Sequence, residues 1–144
     1  MNNVERTMDL HSTGLNCSQA ILTAFGESFG LDAEMAAKLG RPLGGGMGHL
    51  AKTCGAVTAA VLVLGMAKDR QDEGEARKTT HACVQDLFRR FTDAHGTTEC
   101  KELLGADMST EEGFKKVQEE KLVRKMCPQF VRDAASILEG FLNS

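Results

Sequence analysis

The feature that most constrains this chain is an uninterrupted small-and-apolar run from Cys54 to Ala67, broken in polarity only by Thr58 and carrying Gly55 and Gly65. Fourteen residues fall short of the roughly 20 needed to span a bilayer, so the run reads as a helix buried on all sides. A helix of that kind needs other helices around it, and the rest of the sequence supplies helical rather than strand periodicity. Alternating apolar and polar runs are scarce, and Tyr and Trp are absent.

Start and stop signals divide the chain. A first helix is expected from Val4 toward Thr13, ending at Gly14. Asn16 caps a second, with Ala20, Ile21, Ala24, Phe25 and Phe29 on one face, and Gly30 ends it. Asp32 caps a third through Leu39, closed by Gly40. The glycine-rich loop Arg41-Pro42-Leu43-Gly44-Gly45-Gly46-Met47-Gly48-His49 follows, and Thr53 is expected to cap the apolar helix, which ends near Met66. A long amphipathic helix begins near Asp72, buries Thr80, Val84, Leu87, Phe88 and Phe91, and stops at Gly96. A short helix capped by Thr97 or Thr98 closes at Gly105, and Ser109-Thr110-Glu111-Glu112 opens another. Pro128 is expected at the first position of the last helix, where its missing N–H is no loss, with Phe130, Val131, Ala134, Ile137, Leu138 and Phe141 on one side. The expected fold is all-α. Residues 1–144 form one compact bundle of about six to seven helices, with the Gly-rich loop just before the central apolar helix.

Composition excludes several functions. With 42% hydrophobic residues the chain can bury a core without staples. Net charge is −3, and no basic stripe suits nucleic acid. Lys115, Lys116, Lys121, Arg124 and Lys125 are interleaved with Glu111, Glu112, Glu119 and Glu120, which reads as a solvated helix face. Residues 1–13 carry Glu5, Asp9 and His11 and lack an apolar leader core, so a cytoplasmic protein without membrane contact is expected. Five cysteines in such a compartment point to metal, redox chemistry or burial rather than a disulfide framework.

No Cys-x-x-Cys, His-Glu-x-x-His or Walker-type phosphate loop is present. The cysteines instead follow the expected helix starts. Cys17 follows Asn16, Cys54 follows Thr53, Cys100 follows Thr98 by two residues, and Cys127 precedes Pro128. Cys83 lies inside the long helix and reads as packing. Helix N-termini offer unpaired N–H groups and partial positive charge, which favour thiolate over thiol. Gly44, Gly45, Gly46 and Gly48 supply backbone that can approach a ligand closely, or a plain connection. His49 and His95 lie near the site cysteines in sequence, and His95 suits a helix C-terminus.

The order Asn16-Cys17-Ser18-Gln19-Ala20, Gly44-Gly45-Gly46-Met47-Gly48, Thr53-Cys54-Gly55-Ala56-Val57, His95 through Gly105, and Cys127 resembles the redox-active family named for its pattern C_GCAxxG_C_C. The likeness spans residue 15 to the C-terminal helix. Where the family writes Gly-Cys-Ala-x-x-Gly, this chain has Thr53-Cys54-Gly55-Ala56-Val57-Thr58, so only the cysteine coincides. The resemblance implies that Cys17, Cys54, Cys100 and Cys127 are the family's four cysteines, that Cys83 is extra, and that the activity is redox. Three functions compete. The first is an iron–sulfur cluster, ahead of zinc, held by the four cysteines for electron transfer or redox sensing. The second is a metal-free thiol–disulfide oxidoreductase, and the third is a non-catalytic interaction or oligomerisation module. A redox partner protein and self-association are compatible with the chain.

Overall fold

The computed structural model describes residues 1–143. Among these, the chain forms eight α-helices: α1 (Asn3–Ser12), α2 (Cys17–Gly26), α3 (Ala33–Gly40), α4 (Gly55–Ala67), α5 (Glu73–His95), α6 (Cys100–Leu104), α7 (Glu111–Glu119) and α8 (Leu122–Leu142). Short 3-10 turns, Glu27–Phe29 and Arg41–Leu43, extend α2 and α3. No strand forms among the described residues. A single bridge pairs Thr53 with Glu99.

The apolar run forms the centre of the bundle, with Ala56, Val57, Ala59, Ala60, Val63 and Leu64 fully buried. Helix α4 packs against α2, α5 and α8, while α1 lies across α2 and α8. Phe25, Phe91, Ile21, Leu22, Leu87 and Leu138 close the core around it. No helix among the described residues is long and apolar enough to cross a membrane.

Most helix ends follow local chemistry. Asn16 accepts from the Gln19 N–H at 2.8 Å while Gln19 answers with its side chain on the Asn16 N–H at 3.0 Å, a reciprocal cap. Asp32 caps α3 as the sequence predicts, and Asp72, near which the long helix is expected to begin, caps α5. Gly96 and Gly105 take left-handed conformations at the ends of α5 and α6.

Three boundaries depart from expectation. Thr53 does not cap α4, because it is held in the bridge to Glu99, and Cys54 itself takes the cap position. Glu99, not Thr97 or Thr98, precedes α6, and Thr97 Oγ1 accepts from the Glu99 N–H instead. Within the expected Ser109–Glu112 start signal, Thr110 caps α7, accepting from the Gly113 N–H at 2.9 Å. Helix α8 begins at Leu122, so Pro128 lies within it rather than at its first position. Lys121 makes the turn into α8 with φ 53°, a left-handed conformation, and no side chain caps the helix.

Candidate functional site

All four cysteines of the expected set line one cleft of about 1140 Å³, together with Gly44, Gly45, Gly46 and Gly48. Cys83 on α5 does not line it. Three of the four lie at helix starts as expected. Cys17 is the first residue of α2, Cys54 is the cap residue of α4, and Cys100 is the first residue of α6. Cys127 does not. It lies in the interior of α8, and only its neighbour Pro128 marks the place. Proline has no N–H, so the Arg124 carbonyl loses its helical donor beside Cys127.

Two backbone devices assemble the site. The first is the antiparallel bridge: Cys54 N donates to Thr98 O at 2.8 Å and Cys100 N to Lys52 O at 2.7 Å. This pairs the segments that lead into α4 and α6 and sets two cysteines side by side. The second ties α2 to α4, where the buried Ser18 Oγ donates to Gly55 O at 2.7 Å. A Cβ on Gly55 would come within 2.8 Å of Cys17 Sγ and 2.5 Å of Ser18 Oγ. Glycine is therefore what admits the Cys17 sulfur against the start of α4.

The glycine loop closes one wall. Residues 45–49 all have positive φ, including the non-glycines Met47 and His49, and Ala51 repeats it. Left-handed backbone in non-glycine residues costs on the order of 1 kcal/mol each. The loop offsets this with a dense set of internal bonds, from Met47 N to Leu43 O through Lys52 N to Gly46 O. None of these donors is Gly45 or Gly46, and both residues line the cleft. A Cβ on Gly46 would lie 2.8 Å from Cys100 Cβ, so the loop also presses on that cysteine.

The thiols are not equivalent electrostatically. Cys17 is held below the ordinary thiol value, first by a hydrogen bond from Cys54, against the penalty of burial, and further by Ser18 and the α2 N-terminal amides. Cys54 is pushed well above it, first by that same bond, then by burial and the Cys17 charge, although Ala56 and Val57 N–H groups pull the other way. When the pair gives up one proton, the charge therefore falls on Cys17 and the remaining proton on Cys54. Burial, then the Cys17 charge, pushes Cys100 up to about 11. The same two causes push Cys127 up to about 12. Cys100 and Cys127 remain neutral thiols at neutral pH.

The histidines divide. His49 lines the cleft and faces Phe114, with ring centroids 5.7 Å apart. His95 instead bonds Asp133 on α8 at 2.8 Å and packs between Phe91 and Phe130, a structural tie between α5 and α8. Sequence reasoning missed Ser18 and Gly55, whose roles arise only when α2 meets α4. Among the described residues, no three His, Cys, Asp or Glu side chains converge closely enough to hold a metal ion.

Residues 15–141 match the family described as "Putative redox-active protein (C_GCAxxG_C_C)", so the chain belongs to that family. No curated protein and no solved structure matches the chain.

Proposed function

We propose that this member of the C_GCAxxG_C_C family is a thiol–disulfide oxidoreductase in which Cys17 is the attacking thiolate and Cys54 the resolving thiol. The observation that carries the reading is the seat of Cys17 Sγ against the start of α4, 2.8 Å from where a Gly55 Cβ would lie, with Cys54 as the cap residue of that helix. The pairing of the two thiols lowers Cys17 and raises Cys54. The step balances as follows. Cys17 thiolate attacks one sulfur of a disulfide, forms a mixed disulfide and expels one thiolate. Cys54 gives up its proton and attacks Cys17 Sγ, forming the Cys17–Cys54 disulfide and releasing the second thiolate. The pair loses two electrons and the substrate gains them. The proton from Cys54 goes to a departing thiolate.

The test is to treat the reduced protein with a neutral disulfide, dithiodipyridine, and map its cysteines by mass spectrometry. A Cys17–Cys54 disulfide is expected, and Cys54→Ala should trap the mixed disulfide on Cys17. A stable adduct on Cys100 or Cys127 with Cys17 untouched would contradict the assignment.

A second reading is favoured by one observation, that all four cysteines line one cleft. Cys17, Cys54, Cys100 and Cys127 would then hold an iron–sulfur cluster or, failing that, zinc. The four sulfurs do not fit such a centre as they stand, because no three converge. Cys100 and Cys127 would have to swing inward and lose their protons. Iron and sulfide in stoichiometric amount, with a visible absorption band in anaerobically prepared protein, would establish this reading over the first.

A further inference from the structure

The walls of the cleft carry charge of one sign. Arg41, Lys121 and Arg124 all line it, and no Asp or Glu does, although Glu99 and Asp107 reach Cys100 electrostatically from outside. This runs against a net charge of −3. Some of the chain's other cations are neutralised by a carboxylate. Arg6, Lys38, Arg77, Arg89, Arg90 and Lys115 are each paired with a carboxylate. Among the described residues, the side chains of Arg41, Lys121 and Arg124 have no carboxylate or hydrogen-bond partner, and all three are exposed. They converge on one cleft from separate segments: Arg41 from the turn after α3, Lys121 and Arg124 from the start of α8. The apolar part of the lining includes Phe114, Val117 and Val123.

We propose that the cleft binds small anionic disulfides: molecules with carboxylates at their ends, for the unpaired cations, and an apolar body that lies on the hydrophobic lining. The inference rests on the Cys17–Cys54 reading and names its substrate class. The carboxylates of the incoming disulfide meet Arg41, Lys121 and Arg124, which places its sulfur pair over Cys17. Exchange then follows the balanced step above, with the disulfide as the named oxidant of the Cys17–Cys54 pair. A cleft lined by one sign of charge raises the local concentration and capture rate of oppositely charged substrate by about ten- to a thousandfold.

The test compares two aromatic disulfides, dianionic dithiobisnitrobenzoate and neutral dithiodipyridine, by their stopped-flow rates with reduced full-length protein. The ratio of the two rates for a small free thiol is the reference. The protein's dianionic-to-neutral ratio is expected to exceed that reference by about tenfold or more. It should collapse toward the reference in Arg41→Gln/Lys121→Gln/Arg124→Gln. It should collapse likewise in the unaltered protein at about 1 M salt, where the screening length is only ~3 Å. A ratio equal to the free thiol's, or indifferent to both salt and the triple substitution, overturns the inference. If the neutral disulfide oxidises the Cys17–Cys54 pair while the charge preference is absent, only the substrate class is wrong. If it fails to form that disulfide, the oxidoreductase reading falls and takes the substrate class with it.

Discussion

The two halves of the cleft hold the same residue type and treat it in opposite ways. In the Cys17–Cys54 half, two helix N-termini meet, Ser18 ties them at 2.7 Å, and the two thiols are shifted in opposite directions by each other. In the Cys100–Cys127 half, one thiol starts a five-residue helix and the other sits within a helix. There burial is the leading influence, and both stay protonated. Each half holds one buried and one half-buried cysteine, so burial does not decide reactivity. What distinguishes Cys17 is the donor thiol of Cys54, which with Ser18 and the α2 amides outweighs desolvation, whereas the amides at Cys54 do not.

The largest break in this contrast should come from Gly55→Ala. The added methyl would crowd Ser18 Oγ, Cys17 Sγ and the Leu43 carbonyl together. Overpacking of this kind costs about 1–3 kcal/mol, and denaturant unfolding should show it as a lower midpoint. Next is Cys54→Ala, which removes the leading cause of the low Cys17 value. A rise of one pKa unit would cut the thiolate fraction near pH 7 about tenfold, read as slower alkylation of Cys17. Cys127→Ala should leave that rate unchanged, since Cys127 is not among the groups that shift Cys17. Ser18→Ala should be milder. It removes one buried hydrogen bond, costs on the order of 1 kcal/mol, and slows Cys17 alkylation less than Cys54→Ala does.

The smallest effect is on the alkaline stability profile, and its sign follows from the shifts. Cys100 and Cys127 are raised in the folded state, so their stabilisation is complete below the ordinary thiol value near ~8.5. It is lost as pH climbs toward about 11 and about 12. Cys17 is lowered, so its contribution is present above the ordinary value and fades as pH falls through its own. Tm should therefore fall on the alkaline side, and Cys127→Ala should flatten that fall.

Local chemistry made most of the fold legible. Asn16, Asp32 and Asp72 are side-chain caps, and Gly96 and Gly105 are left-handed stops, so the sequence places those ends within a residue. The misreadings share a cause, which is that long-range pairing overrides a local signal. Thr53 looks like a cap but is taken by the bridge to Glu99. Pro128 looks like a helix start, yet α8 begins six residues earlier through a left-handed Lys121 that carries no capping signature. The site was legible as a set of four cysteines and a glycine loop. It was not legible as a pair within that set, because the Ser18–Gly55 contact joins residues far apart in sequence. The unpaired character of Arg41, Lys121 and Arg124 likewise appears only once the cleft has formed.

The central claim is that one thiol, Cys17, carries the charge of the site. Its most direct test is the rate of alkylation of each cysteine against pH, resolved by peptide mass spectrometry on the reduced protein. The account predicts one cysteine, Cys17, with an apparent pKa clearly below the ordinary ~8.5, while Cys54, Cys100 and Cys127 react only under strongly alkaline conditions. Low-pH reactivity at Cys100 or Cys127, or a Cys17 that titrates at or above the ordinary value, would contradict it.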